Sequence, residues 1–246
     1  CFAVYSNAYE HEFHLDSSHV LLNNYKVRSL AFIPEYFTDP GTFSSLRANV
    51  DYRPVLQVTY ALNYWMGGYE TWWWHFTQIL LHLVCCVGLY ACCRRILARA
   101  ELPVSPAAGA WIAFASAALF AVHPTGAGVV DYLSARSSLL TAAFLFWALF
   151  AYMREGPGYR RTMWASAALF GLALFSKVEA VAGLGVFLLY DGWQVARLRG
   201  HRSGVARDAL ATVNLTTVRR IWPALVIAVA YFFIRADLMA EFEYGA

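Results

Sequence analysis

The chain has 246 residues, 59% of them hydrophobic and only 14% charged, with a formal net charge of +3 and a mean hydropathy of +0.45. A soluble domain carries about 25% charged residues, so this composition excludes an ordinary water-soluble enzyme and points to an integral membrane protein. The basic residues sit in short loops between apolar segments, as topology determinants and anionic-lipid contacts do, and they do not suggest nucleic-acid binding.

In chain order, residues 1–5 (CFAVY) read as the tail of an earlier span. The stretch HLDSSHVLLNNYKVRSL (14–30) mixes cap-type residues with apolar spacing, so Ser17 and Ser18 are expected to cap a short helix running through Asn24. DPGTF (39–43) reads as a turn. Pro54 opens PVLQVTYALNYWMGG, a helix with proline in its first position. Tyr60, Tyr64, Trp65, Trp72, Trp73 and Trp74 read as an interfacial aromatic belt. Residues 1–70 are thus expected to be an extracytoplasmic loop carrying a pair of helices that lie on the membrane surface.

A span needs roughly 20 mostly apolar residues. Segments near 71–93, 107–126, 138–153, 162–176, 179–194 and 221–236 meet or approach that length. The fold expected is all-α: a polytopic membrane protein of about six spans, with residues 71–246 forming the transmembrane bundle. The chain opens on Cys1 and closes in a polar stretch, as a piece of a longer protein would.

Lysines and arginines orient these spans. Alternate loops hold 12 of the 19 basic residues, from Arg94 to Arg220, opposed by Glu101, Glu155, Asp191 and Asp208, and this set is expected to be cytoplasmic. The other side holds 7 basic and 12 acidic residues. Nearly every residue with chemical potential lies there, facing the periplasm, the cell exterior or an organelle lumen. Cys85, Cys86, Cys92 and Cys93 are read as packing residues rather than metal ligands.

Several outer residues invite a functional reading beside a structural one. Asp16, among Phe13, His14, Leu15 and Val20, is either a helix cap or a general base. Arg53 precedes a helix start, as a phosphate ligand or a headgroup contact would. Arg136, with Ser134, Ser137 and Ser138, resembles an anion site at a helix N-terminus or a capped helix start. His75 and His82 share a helix face roughly 10 Å apart, too far for one metal ion and suited to a buried polar site. His123 and Asp131 fall in the next outer loop. Lys177 and Glu179 either pair with each other or leave the lysine for a lipid phosphate. Arg235 ends the last span.

These residues stand in motifs: FHLDSSHVLLNN, YFT (36–38), YRPVLQVTYALNY (52–64), HFTQILLHL (75–83), ALFAVHP, YLSARSSLL and LFSKVEAVAGLGVFLLYD. From about residue 12 to 191 the ordered set resembles the C-type, multi-span glycosyltransferases, specifically the transmembrane and tetratricopeptide-repeat O-mannosyltransferase family and its bacterial relatives. That resemblance implies inverting transfer of a hexose, such as mannose, from a polyprenyl or dolichyl phosphate to an extracytoplasmic hydroxyl of a protein or glycan. Asp16 would be the general base, with Arg53, Arg136 and Lys177 on the donor phosphate. Tyr52, His75, His82, His123, Glu179 and Arg235 would contact the substrate or shape the cavity. No metal or other cofactor is required by this scheme, and the membrane would be a bacterial inner membrane or the endoplasmic reticulum.

The chain departs from the family pattern at Ser17, where a second acid is frequent, and at Gly126, Gly128 and Ser138. Val178 separates a lysine and a glutamate that are usually adjacent. Those departures keep open a catalytically degenerate scaffold that binds lipid phosphate. A lipid or solute transporter is the third reading, opposed by the lack of charged residues at mid-span.

Overall fold

The computed structural model describes residues 4–6, 9, 13–156, 158–201 and 206–244, with 198–201, 206–216 and 244 by backbone alone. Residues 1–3 of the expected earlier span and Arg202 of the basic inner loops lie outside the described residues, as do the side chains of Arg199 and Arg207. Every regular element among the described residues is helical. After a four-residue turn of helix, α1 (Ile33–Tyr36), come α2 (Pro54–Gly67), α3 (Thr71–Arg99), α4 (Pro106–Val122), α5 (Pro124–Asp131), α6 (Arg136–Tyr152), α7 (Tyr159–Ser176), α8 (Gly183–His201) and α9 (Ala206–Tyr244).

Three helical segments are long and apolar enough to cross a membrane: Thr71–Arg99, Leu133–Tyr152 and Thr217–Glu243. A fourth forms if α4 and α5 count as one span bent by 56°. The bend has a local cause. Pro124 offers no amide and forces His123 into an extended conformation. His123 Nδ1 then accepts from the Thr125 amide at 3.3 Å and starts the second helix.

Among the described residues three helices, or four with the bent pair counted as one span, meet the length and hydropathy of a crossing, against the six expected. The segments expected at 162–176 and 179–194 are helical but fall short, because α7 takes in Arg160 and Arg161 and α8 takes in Asp191 and Arg197. Residues 178–182 form a 3-10 turn rather than the start of a span. Burial holds both helices in the bundle: Phe170, Ala173, Leu174 and Phe187 are sealed with Tyr152, Ala228 and Tyr231, and Tyr152 stacks on Phe187 with ring centroids 4.6 Å apart.

The seven-residue spacing of the cysteines now has an explanation. The thiols of Cys85 and Cys92 donate to the carbonyls of Leu139 and Phe146, also seven apart on α6. Two turns of α3 therefore run in register along two turns of α6. Gly88 lies between them, and a Cβ there would come within 2.9 Å of the Phe146 Cβ, so the close approach requires glycine. No grouping of three metal-ligating side chains occurs among the described residues.

The first 70 residues differ from the expected pair of surface helices. Among the described residues only α2 is of helical length, and before it run α1 and the single turns Ser18–Leu22, Tyr25–Arg28, Leu30–Phe32, Pro40–Thr42 and Arg47–Asn49. The expected cap fails, since Ser17 makes no capping hydrogen bond and its turn ends at Leu22. Asn24 caps the following turn instead, and its amide donates to the Thr42 and Phe43 carbonyls at 2.8 and 3.3 Å. Side chains thus satisfy the backbone of a segment too irregular to satisfy itself. The aromatic belt divides. Trp65, Trp72 and Trp73 are exposed, whereas Tyr60 and Trp74 are fully buried.

Candidate active site

The turns of residues 16–53, the first half of α2, Ser134 in the turn before α6 and Arg235 of α9 line a cavity of about 510 Å³. Asp16 and His19 line it, together with Asp51, Arg53 and Arg235, and Asn49, Ser134 and Tyr60 add to the polar lining.

Asp16 keeps a 62% exposed side chain. It is not a helix cap: its Oδ2 accepts from the Tyr132 hydroxyl at 2.7 Å, and its Oδ1 lies 3.5 Å from His19 Nε2. Tyr132 is held protonated, its pKa raised by burial and by the bond to Asp16. His19 is itself positioned, since Nδ1 is 2.9 Å from Ser44 Oγ. The carboxylate is therefore oriented from two sides with its remaining acceptor capacity open to the cavity.

The other charged group is a three-residue clamp. Arg53 caps α2, whose first helical residue is Pro54. Its Nε and Nη2 both reach Asp51 Oδ2 at 2.7 Å. Asp51 Oδ1 accepts from the Tyr52 amide at 2.8 Å and from Arg235 Nη2 at 2.9 Å. Burial pushes the Asp51 carboxyl up, but Arg53, the Tyr52 amide and Arg235 outweigh it and hold it below the usual carboxylate range. Arg53 also donates to Ser137 at 3.3 Å and lies over the Phe43 ring.

Arg136 does not join this group. It is completely buried. Its Nε donates to Gln78 Oε1 at 2.9 Å, its Nη1 to Asn63 Oδ1 at 2.6 Å and to the Thr59 carbonyl at 3.4 Å, and its Nη2 to the Trp74 carbonyl at 3.2 Å. The guanidinium also sits 5.1 and 5.2 Å from the Tyr60 and Trp74 rings. With four of its donor bonds going to α2 and α3 and no place in the cavity lining, it clasps α2, α3 and α6 together. Arg136, expected on a donor phosphate, is enclosed by protein groups of α2 and α3 and does not line the cavity.

The remaining candidates divide. Lys177 Nζ donates to Ser138 at 3.2 Å and pairs with Glu179 at 3.4 Å. It flanks the same first turn of α6 that Arg53 touches, but it does not line the cavity. Tyr52 is core: its hydroxyl donates to the Phe37 carbonyl at 3.0 Å and its ring packs against Phe175 and Tyr231. His75 and His82 are buried. His82 lies 3.2 Å from the Ala121 carbonyl and lines a separate apolar groove with His123 and Ser138. Asp51, His19 and Tyr132 are candidate site residues that sequence reading did not single out, whereas Ser134 was named there beside Arg136. Asp51 stands two residues before Arg53, and that i, i+2 charge pair was the available signal.

With this geometry in view, the comparison with curated proteins gives weak relatives of one kind. The chain is similar to protein O-mannosyl-transferases. It is 27% identical over 203 residues to protein O-mannosyl-transferase TMTC1 of Homo sapiens, covering 76% of this chain and 22% of that protein. It is 26% identical over 211 residues to TMTC4 of Homo sapiens, covering 78% and 27%. Against Tmtc3 of Drosophila melanogaster it is 27% identical over 173 residues, covering 62% and 18%. These likenesses support membership of that family. The chain spans about a fifth to a quarter of the length of these relatives. No protein-family model matches the chain, and no solved structure does.

Proposed function

We propose that this chain carries the membrane-embedded catalytic site of a glycosyltransferase that moves a hexose from a polyprenyl phosphate to a protein hydroxyl on the extracytoplasmic side. The single observation that carries the reading is the cavity itself: an oriented carboxylate, Asp16, shares it with a two-arginine clamp. The relatives' names supply the sugar-transfer class.

In the proposed reaction the acceptor oxygen attacks the anomeric carbon as the bond from that carbon to the phosphate oxygen breaks. Inversion follows from the single displacement. The hydroxyl proton passes to Asp16, a step typically worth about 10²–10⁴ in rate. The electron pair of the broken bond leaves on the phosphate, where Arg53 and Arg235 stabilise the growing charge. Lys177, on the flank, adds to the positive field at the first turn of α6.

The degenerate-scaffold reading rests on Ser17, Gly126 and Gly128 and would keep phosphate binding without transfer. A transfer assay separates the two. The intact protein in membranes is given polyprenyl-phosphate hexoses with peptide acceptors, and a hexose mass gain is sought. Transfer that collapses by about a hundredfold or more in Asp16→Asn supports the base role. Equal transfer by both proteins removes Asp16 from the chemistry, and phosphate binding without any transfer favours the scaffold.

A further inference from the structure

Asp51 has no part in the proton transfer, yet it is the most heavily engaged carboxylate lining the cavity. Each of its oxygens takes a different arginine: Oδ2 faces Arg53 at 2.7 Å, and Oδ1 faces Arg235 at 2.9 Å. The three side chains are only 22–28% exposed, so water screens them weakly. Two guanidiniums sharing one carboxylate leave a net charge of +1 where the phosphate would sit.

We propose that Asp51 is a specificity-determining residue that sets this clamp to accept a singly charged phosphodiester and to disfavour doubly charged phosphates. This rests on the reading of the cavity as the donor-phosphate site. A polyprenyl phosphate sugar is a diester with one negative charge, which the clamp neutralises. The phosphate monoester left after transfer carries nearly two charges above pH 7, since its second pKa is about 6. Bare arginines would grip the monoester far more tightly than the diester, and the spent carrier would block the site. The Asp51 carboxylate cancels one guanidinium and repels the second phosphate charge. It therefore flattens the difference between substrate and product and favours release. It also disfavours diphosphate-linked sugars, whose additional charge finds no partner.

The test uses two short isoprenyl probes with the same tail: a methyl phosphodiester and the corresponding phosphate monoester, bound at pH 8 to the intact protein in lipid nanodiscs. Asp51→Asn keeps one oxygen to accept from the Tyr52 amide and from Arg235 while removing the charge. The monoester should tighten about tenfold more than the diester in this variant, equivalent to ~1.4 kcal/mol. Asp51→Glu, which restores the charge, should return the ratio of the two affinities toward the wild-type value. In the transfer assay Asp51→Asn should lower KM and kcat together, because product leaves slowly.

An unchanged ratio in Asp51→Asn overturns the inference and leaves the donor site standing. A wild-type protein that already binds the monoester more than tenfold tighter than the diester overturns it without any variant. If Arg53→Gln and Arg235→Gln both bind the diester as well as wild type does, the phosphate sits elsewhere, and the donor-site reading falls with the inference.

Discussion

Replacing Arg136 distinguishes a structural cation from a phosphate ligand. In Arg136→Met the side-chain volume is roughly kept, but Asn63 Oδ1 and Gln78 Oε1 lose the donors now at 2.6 and 2.9 Å. Each buried acceptor left unpaired costs about 1–3 kcal/mol. The lost attraction to the Tyr60 and Trp74 rings adds about 1–2 kcal/mol for a desolvated site. Removing a buried charge recovers part of this, since desolvating the guanidinium was itself unfavourable. The expected balance is a loss of about 3 kcal/mol, or on the order of 10 °C in Tm for a chain of this size. Arg136→Lys keeps a charge but loses the planar fork, and a loss of about 1–2 kcal/mol is expected. Thermal unfolding in nanodiscs followed by tryptophan fluorescence gives the first readout. Binding of the isoprenyl methyl phosphodiester well below the transition gives the second, and it should stay within about threefold of wild type, less than ~0.7 kcal/mol. Arg136→Met protein that melts like wild type yet no longer binds the probe would refute the structural assignment and return Arg136 to the phosphate.

Three further outcomes are expected. Tyr132→Phe removes the hydroxyl that donates to Asp16 at 2.7 Å; transfer should fall about tenfold, roughly 1.4 kcal/mol, with melting unchanged, and full activity would separate Asp16 orientation from Tyr132. Gly88→Val places a branched side chain where even a Cβ lies 2.9 Å from the Phe146 Cβ; forcing α3 from α6 should cost about 1–3 kcal/mol, read as a lower Tm. Asp51 has a depressed pKa in the folded state, so its stabilisation is complete above the unfolded value of about 3.9 and is lost as pH falls through the lower folded value. The stability gap between wild type and Asp51→Asn should therefore be constant from neutral pH down to about 5 and close in stronger acid; a gap that persists unchanged below that window would show that the clamp charge contributes nothing.

The helices were legible because apolar runs and proline positions act locally. Pro54 opens α2 and Pro106 opens α4, both within the first helical turn. Span number was less legible, because hydropathy averages cannot tell a lipid-facing helix from one enclosed by its neighbours. α7 reads as a span from Met163 onward, and it owes its apolar character to a protein core shared with α6 and α9. The irregular segment before α2 was illegible for a related reason. Its backbone is satisfied by distant side chains such as Asn24 and Tyr36, and the Tyr36 hydroxyl donates to the Lys26 carbonyl at 2.8 Å, a pairing with no sequence period.

Within the site, spacing could nominate cations but not say which had partners. Arg53, Arg136 and Lys177 all precede or flank helix starts, so they looked equivalent. The structure gives each a different neighbour: a carboxylate shared with Arg235, a cage of neutral amides and carbonyls, and a pairing with the exposed Glu179. The neighbour decides the chemistry. A guanidinium enclosed by four protein acceptors is held away from a substrate, whereas Arg53 and Arg235 are each anchored by Asp51 and line the cavity. The carboxylate that fixes their orientation also limits their combined charge. Anchoring and charge selection are therefore properties of the same residue. Asp51→Asn keeps one oxygen for Arg235 and the Tyr52 amide but turns an NH2 toward Arg53, so it loses that anchor together with the discrimination between diester and monoester, and Asp51→Glu should restore the charge.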